Sequence, residues 1–457
     1  MTEKYLKLQY MLGGALGGVA RCDHVVISPK FYSVYEQEES HPTFPKDMPT
    51  PSEATPANHS NQLPSPMSTA SGKPKVREED GAYQFLVVGA GPAGVTAVAN
   101  LLDNGVSSIA WIDPCFSGGR MGEKYREIPS NTKIQLFLDY VAASPTLSNL
   151  VQEETETPNA YTALLELELG RGNLLSYAAD LMVMLTRGLL AVYSSKIEPF
   201  HARVTSLNCL PGAGWSVGIE TLSSGDLVDE PLQAQKVVLA TGSDPIQPTE
   251  SAIAAIDLEV ALSPSQLRGA LAGIPLEDQA IAVVGSSHSA FLVLRNLASL
   301  PTRVRIIHLF RSEEIRFAEQ KDGWILYDNT GLKGLVAEWA KSEYPSLVEQ
   351  RRISRLKIDA TQDALPQHLT NLKHCARVIY AIGYQASPTP RVTLDGTEQV
   401  LNLDHQTGRF EGPAGLFGCG IAFPQRVVDP AGNVELAVGI FKFMKFLRAV
   451  VPHWIQS

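Results

Sequence analysis

The sequence predicts an α/β protein built from two Rossmann-like units, one inserted into the other, behind a disordered N-terminal extension. Two glycine-containing turns, near residues 89–94 and 285–290, each follow a short apolar strand and precede a helix, and this layout predicts the two units. A stretch rich in Pro, Ser and Thr, from His41 to Asp80, predicts the extension because it contains too little apolar surface to order itself.

The first unit has the spacing of a dinucleotide site. Gly89 permits a tight turn, Gly91 lets a pyrophosphate approach the backbone, and Gly94 lets the helix pack closely on the strand. Asp113 lies 19 positions beyond Gly94, at the end of the next apolar strand, where it can accept hydrogen bonds from ribose hydroxyls. The predicted contact positions of this unit are Gly89, Gly91, Ala93, Gly94 and Asp113.

The second unit departs from this pattern in two ways. Ser287 occupies the place of the middle glycine, where its Cβ crowds a pyrophosphate although its hydroxyl can bind a phosphate. Arg311 follows the next strand where the first unit has an acid, and an arginine there suits a 2′-phosphate and favours NADPH over NADH. The predicted contact positions are Gly285, Ser287, Ser289 and Arg311. The alternative is a Rossmann-like unit that binds no nucleotide.

Composition narrows the class of protein. A formal net charge of −10 disfavours nucleic acid and anionic membranes as partners, and no apolar run is long enough to predict a membrane span. The cysteines are few, odd in number and widely spaced, which predicts free thiols in a reducing, cytoplasmic compartment and no metal site. They are Cys22, Cys115, Cys209, Cys375 and Cys419.

Four features in order resemble the flavoproteins with two dinucleotide-binding domains. This family includes the pyridine nucleotide-disulfide oxidoreductases and the class B flavin-dependent monooxygenases, and the resemblance covers roughly residues 84–450. The features are the unit at 89–113, the strand end Val238–Gly242, the unit at 285–311 and the segment Val378–Tyr384.

The resemblance implies an FAD domain interrupted by an NADPH domain. We expect the N-terminal extension over residues 1–80, the first part of the FAD domain over 81–255, the NADPH domain over 256–388, and the last part of the FAD domain over 389–457. Thr241 and Gly242 resemble the Ala-Thr-Gly segment at which the chain of such proteins crosses between domains.

Two further segments resemble flavin-contacting parts of the family. Gly118-Gly119-Arg120 is similar to a glycine-rich stretch that lines the flavin ring, so Arg120 is assigned to a cofactor phosphate or to flavin N5, with a solvated surface charge as the alternative. Gly420 falls where a backbone group would lie near the flavin phosphate, but Ile421 replaces the acid that follows in the family. A helix from Ile440 to Leu447 would then approach the flavin, or be a plain amphipathic helix.

The resemblance and the residues together predict an FAD- and NADPH-dependent oxidoreductase, foremost a monooxygenase that oxygenates a small organic substrate with O2. Disulfide reduction is disfavoured because no redox cysteine pair is present. The alternatives are an FAD-dependent oxidase or reductase without such a pair, and a non-catalytic flavin-binding redox sensor. A homo-oligomer is expected, and no catalytic residue is assigned.

Two polar groups of residues are candidates for contact with the second substrate. One is His288-Ser289 in the second turn, and the other is the segment from Trp324 to Lys333. The alternative for the latter is a helix capped at Asp328 to Thr330.

Overall fold

The computed structural model of the chain describes residues 76–457 except 79–80, 155, 211, 213, 222–229, 249–250, 252, 277–278, 359–371 and 373. Apart from residues 76–78, the extension predicted for residues 1–80 lies outside the described part of the chain, as does Cys22.

The first stretch of the ordered chain, up to residue 245, contains seven strands and six helices among its described residues. These elements are β1 (Tyr83–Val88), α1 (Pro92–Asp103), β2 (Ile109–Ile112), α2 (Gly119–Glu123), α3 (Ile134–Ala142), α4 (Pro145–Glu153), α5 (Ala160–Leu165), α6 (Leu175–Val192), β3 (Ile197–Phe200), β4 (Ala202–Leu210), β5 (Gly214–Thr221), β6 (Leu232–Leu239) and β7 (Ser243–Pro245).

The second stretch forms the inserted domain. Its elements are α7 (Leu258–Leu262), α8 (Pro264–Leu271), β8 (Ala280–Val284), α9 (His288–Ala298), β9 (Arg305–Phe310), β10 (Glu319–Lys321), β11 (Trp324–Leu326), α10 (Gly334–Ser342), α11 (Tyr344–Glu349), β12 (Ile353–Lys357) and β13 (Cys375–Tyr380).

The last stretch returns to the first domain. Its elements are β14 (Tyr384–Ala386), β15 (Arg391–Leu394), β16 (Thr397–Glu398), β17 (Leu403–Asp404), β18 (Arg409–Phe410), β19 (Leu416–Gly418), β20 (Gln425–Val428), β21 (Val434–Ala437) and α12 (Ile440–Gln456).

The sheet of the first domain has a parallel centre. Its strands lie in the order β19-β6-β1-β2-β3, all parallel, and β5 pairs antiparallel with the first half of β6 while β19 pairs with the second half. β1 is almost entirely apolar and buried, as expected for a strand covered on both faces. One face packs on α1, α6 and α12, and the other on the antiparallel strands β4 and β5.

The sheet of the inserted domain is wholly parallel, in the order β12-β9-β8-β13 among the described residues. Helices α7 to α11 cover one face, with Phe291, Leu294 and Trp339 in the core beneath them. One wholly parallel sheet and one sheet with a parallel centre, each with helices between its parallel strands, confirm the predicted α/β class and the two Rossmann-like units.

The chain passes between the two domains as a two-stranded ribbon. β7 leaves the first domain and β14 returns to it, and the two strands pair antiparallel, with Asp244 opposite Gln385. Residue Ala255 already bridges to Val378 of the inserted sheet. The ribbon lies at residues 243–245 and 384–386, close to the domain limits predicted at 255/256 and 388/389. Those limits stay predictions.

Each glycine turn is held in the same way. Gly89 has φ of +104° and a Cβ added to it would lie 2.4 Å from the carbonyl oxygen of Ala240. Gly285 has φ of +127° and its added Cβ would lie 2.1 Å from the carbonyl oxygen of Ala381. Both positions therefore require glycine, since the crossing strand passes directly beside the turn.

A side chain from the neighbouring strand supports each turn, and the sequence did not reveal this. Trp111 Nε1 donates to the carbonyl of Gly89 at 2.9 Å, and His308 Nε2 lies 2.7 Å from the carbonyl of Gly285. Because that carbonyl only accepts, His308 carries its proton on Nε2, and its Nδ1 accepts from the Tyr344 hydroxyl at 2.7 Å. Burial lowers the pKa of His308 to about 4, although its bond to Gly285 acts in the opposite direction.

Among the described helices, α6 is long and apolar enough to cross a membrane, by length and composition alone. A single helix of this kind is weak evidence, because core helices pass the same test. In the structure α6 packs Leu181, Leu185 and Leu189 fully into the core of the first domain, against α1 and α4.

We expect Ala substitutions at two helical glycines to change the free energy of unfolding in opposite directions. A Cβ at Gly94 would lie 1.9 Å from the carbonyl oxygen of Gly89, so Gly94→Ala should lower the free energy of unfolding by about 2 kcal/mol or more. Gly269 is exposed in α8 with open space around it, so Gly269→Ala should raise that free energy by about 0.5–1 kcal/mol. Chemical unfolding measures both, and a neutral Gly94→Ala would contradict the packing described.

We expect the inserted domain to lose stability as the pH falls from about 6.5 to about 4. In this range the unfolded chain protonates His308 while the folded chain does not, so unfolding takes up a proton, and the loss approaches about 3 kcal/mol at the lower limit. His308→Gln keeps a donor for Gly285 but does not titrate, so its stability should depend less on pH. The exposed His374→Gln is the control. Hydrogen exchange in this domain measures the stability of the unchanged protein and of both variants. Equal pH dependence in all three would show that His308 is not the titrating group.

Candidate cofactor and substrate site

The first turn brings the predicted residues Gly89, Gly91, Ala93 and Gly94 to the carboxyl end of β1. Gly91 is the N-cap residue of α1, and Pro92 opens the helix, where its missing N–H costs nothing. The first N–H groups of α1 lie at this end without helical partners, and they carry the positive end of the helix dipole. This geometry suits a phosphate.

Asp113 organises the same turn. One carboxylate oxygen accepts the backbone N–H of Ala90 at 2.7 Å, and the other accepts the N–H groups of Cys115 and Phe116 at 2.9 and 2.7 Å. The sequence pointed to a contact with ribose, and the structure adds this structural role. The ribose contact stays a prediction.

Two other predicted residues lie beside this turn. A Cβ at Gly420 would lie 2.4 Å from Cβ of Ala93, so the chain after β19 passes directly over the start of α1. Thr241 follows the alanine that contacts Gly89, and its Oγ1 is buried without a hydrogen-bond partner in the structure. Buried hydroxyls are almost always satisfied, so this atom fits a ligand seated at the ends of β1 and β6. Gly242 begins the ribbon.

The second turn places Gly285, Ser287 and Ser289 at the start of α9. Ser287 is the N-cap residue, but its side chain makes no capping hydrogen bond to the helix. Ser289 instead lies near Tyr384, at the start of the returning ribbon strand, and interacts with its hydroxyl. His288, between them, has a buried Nδ1 without a partner, and burial followed by the charge of Lys333 lowers its pKa to about 4. A neutral imidazole and a serine hydroxyl therefore flank the start of this helix.

When the two units are aligned by their hydrogen bonds, Arg311 is not the equivalent of Asp113. Gly89 N–H donates to the carbonyl of Ile112, and Gly285 N–H donates to that of Leu309. Phe310 thus occupies the place of Asp113, and Arg311 lies one position further, half-buried beyond the end of β9. The assignment of Arg311 to a 2′-phosphate stays a prediction.

Arg120 lies in α2 and contacts two carboxylates. Its guanidinium forms ion pairs with Asp244 of the ribbon and with Glu259 of α7, and Glu259 also accepts the hydroxyl of Tyr125 at 3.0 Å. Burial lowers the pKa of Arg120, but the two carboxylates more than offset this and raise it. These partners were not evident from the sequence, because Glu259 lies 139 positions from Arg120.

The segment from Trp324 to Lys333 contacts the first domain rather than starting a helix. β10 and β11 form a hairpin, and α10 begins only at Gly334, so the alternative of a helix capped at Asp328 to Thr330 is wrong. Thr330 Oγ1 donates to Glu435 Oε1 at 2.6 Å, and the backbone and side-chain N–H groups of Asn329 donate to Glu435 Oε2 at 3.0 Å.

The negative charge of this segment is paired with lysines, one of them in the first turn of α12. Asp328 accepts from Lys333 and forms an ion pair with Lys442 at 2.5 Å. Burial alone would raise the pKa of Asp328, but the two lysines outweigh it and lower the pKa. Lys442 also donates to Asn329 Oδ1 at 2.6 Å. Helix α12 begins at Ile440 as predicted but continues to Gln456.

The described residues bring no metal-binding group of His, Cys, Asp or Glu together. All four described cysteines are free, with Cys115 exposed and Cys419 buried. The thiol of Cys419 has its pKa raised to about 12 by burial.

No model of a known protein family matches the chain. Among solved structures, it is similar to the ornithine N-hydroxylase KtzI of Kutzneria sp. 744, with a TM-score of 0.54 and 13% identity over 82% of this chain and 99% of that one. It is also similar to the ornithine hydroxylase PvdA of Pseudomonas aeruginosa, with a TM-score of 0.56 and 11% identity over 82% and 99% of the two chains. These similarities establish the fold.

A curated relative is much more similar in sequence. The monooxygenase AgnR1 of Paecilomyces divaricatus is 40% identical over 398 residues, which are 81% of this chain and 98% of the relative. The chain therefore belongs to the monooxygenase family of AgnR1, and it has the fold of proteins with two dinucleotide-binding domains.

Proposed function

We propose that this protein is an FAD-dependent, NADPH-using monooxygenase that oxygenates a small organic substrate. The main support for the proposal is that the chain is 40% identical to a monooxygenase over nearly the whole length of that relative. The geometry supports it, because the two glycine turns lie next to the two strands of one ribbon. β7 begins three residues after Ala240, and β14 begins three residues after Ala381.

FAD belongs at the first turn. The residues that would hold it are Gly91 and the first N–H groups of α1 at the pyrophosphate, Asp113 at the ribose, and Thr241 with its unpartnered hydroxyl. Gly420 would add a backbone contact, since its segment lies against Ala93. When bound, FAD supplies the redox chemistry, and the protein supplies binding and orientation.

NADPH belongs at the second turn. Ser287, His288 and Ser289 would bind the pyrophosphate together with the start of α9, and Arg311 would pair with the 2′-phosphate. His288 is neutral at neutral pH because burial lowers its pKa, so it would contribute a hydrogen bond and no charge. The ribbon connects this turn to the first one, because β7 begins shortly after Ala240 and β14 shortly after Ala381.

The polar residues from Asp328 to Lys333 do not make a charged substrate subsite. Asp328 and Glu435 are already paired with Lys333, Lys442 and the Asn329 amide, so the group is close to neutral and satisfied. This supports a role in joining the domains and leaves no unpaired charge for a charged substrate. Ornithine is the substrate named for KtzI and PvdA, and we do not propose it for this chain.

Three further expectations belong to the proposal. O2 is the co-substrate that a monooxygenase requires. A cytoplasmic location is supported by the free thiols among the described cysteines. A homo-oligomer is proposed without a specified interface.

Mixing the purified, FAD-loaded protein with NADPH tests the function. We expect NADPH to bleach the flavin absorbance without oxygen and air to restore it, with consumption of O2. Bleaching by an organic substrate and not by NADPH would identify an oxidase. A bound flavin that neither reagent reduces would identify a non-catalytic sensor, and a protein that never takes up FAD would refute the proposal.

Replacing Arg311 tests the choice between NADPH and NADH. Arg311→Ala should weaken NADPH binding by about 1–3 kcal/mol, as for a lost charge-assisted hydrogen bond, and leave NADH binding nearly unchanged. Arg303→Ala removes the same charge from the exposed turn before β9 and is the control. Equal weakening of both nucleotides would show that Arg311 does not contact the 2′-phosphate.

A further inference from the structure

Arg120 joins three parts of the molecule that meet beside the proposed cofactor cleft. α2 belongs to the first domain, Asp244 belongs to the ribbon, and Glu259 belongs to the first helix of the inserted domain. All three side chains are partly buried, with exposed fractions of 35%, 31% and 19%. We call these three residues the Arg120 bridge.

The Arg120 bridge is connected to both glycine turns. At the first turn, Gly119 precedes Arg120, and a Cβ at Gly119 would lie 2.9 Å from Cα of Gly91. At the second turn, Glu259 accepts from Tyr125, and Tyr384 interacts with both Tyr125 and Ser289. A continuous line of contacts thus runs from the start of α1 to the start of α9.

The charges around Arg120 disfavour a cofactor phosphate. One guanidinium is shared by two carboxylates, so the bridge carries a net negative charge rather than a free positive one. A phosphate brought to Arg120 would have to displace one carboxylate or lie beside both. Two carboxylates also suit the planar guanidinium, which offers five donors in a fixed arrangement.

We propose that Arg120 is a positioning residue that fixes the orientation of the inserted domain relative to the first domain, so that the nicotinamide meets the flavin. This inference rests on the proposed function. It predicts that Arg120 controls the rate of hydride transfer and not the binding of either cofactor. A displacement of about 1 Å between reacting groups is enough to cost about 100-fold in rate.

The test uses Arg120→Met, which keeps the length of the side chain but removes the charge, and Arg120→Lys, which keeps the charge but not the planar fork. Arg126→Met is the matched control, because Arg126 lies in the same segment but pairs with Asp180 on the surface of the first domain. FAD affinity, NADPH affinity and the limiting rate of flavin reduction by NADPH without oxygen are measured on each FAD-loaded protein.

We expect Arg120→Met to bind FAD and NADPH as the unchanged protein does, while its limiting reduction rate falls by about 10- to 100-fold. Arg120→Lys should recover part of the rate, and Arg126→Met should lose none. Weaker binding of either cofactor with an unchanged limiting rate would assign Arg120 to a cofactor phosphate and overturn the proposal. Unchanged binding and an unchanged rate would also overturn it.

A second measurement needs no cofactor turnover. Small-angle X-ray scattering of the full chain without nucleotides should show a wider distribution of shapes for Arg120→Met and for Glu259→Gln, but not for Arg126→Met. If NADPH fails to reduce the flavin of the unchanged protein, the proposed function fails while this measurement still decides the role of the Arg120 bridge. Identical scattering from all the proteins would then overturn the positioning role.

Discussion

The structure depends on the close contact between a glycine and the carbonyl of an alanine, made twice. Gly89 lies against Ala240 and Gly285 against Ala381, and neither position has room for a Cβ. Each contact brings the end of a neighbouring strand, β6 beside β1 and β13 beside β8, to the turn that starts the helix, and the chain leaves each alanine directly into the ribbon. The two strands of the ribbon therefore begin close to the two turns, which is the arrangement that the proposed transfer between two bound nucleotides requires.

Polar contacts join the two domains at two further places. The Arg120 bridge joins α2, the ribbon and α7, while Asp328 and Asn329 join the inserted domain to Glu435 and Lys442. The charges of the second group are matched within it, whereas the Arg120 bridge keeps one net negative charge with every charged group paired. Their contribution is thus to hold the domains in place, because partly buried ion pairs give more geometric specificity than net stability.

The sequence was sufficient where the chemistry is local. The turn at Gly89 to Gly94, the acid at Asp113 and the crossing at Thr241 follow from spacing within one βαβ unit or from a family pattern, and the predicted fold was confirmed. The end of the apolar strand predicted Arg311 at the place of Asp113, but the hydrogen-bond register puts Phe310 there and Arg311 one residue further. A count along the chain cannot detect where a strand ends relative to its partner.

The sequence was insufficient where partners are distant in the chain. Trp111 and His308 look like ordinary strand residues, yet each supports a glycine carbonyl 22 or 23 positions away. Arg120 pairs with Glu259 and Asp328 pairs with Lys442 across the two domains, at separations above 100 residues. Such contacts depend on how the domains pack, and a single sequence carries no direct signal for them.

The central claim is that the two turns hold a flavin and a nicotinamide in contact, and hydrogen isotopes test it most directly. NADPH deuterated at the hydride-bearing carbon on one face or the other should be mixed with the FAD-loaded protein without oxygen. The account predicts slower flavin reduction with deuterium on one face only, because a fixed geometry presents a single face. Equal rates with both forms, or no reduction at all, would contradict it.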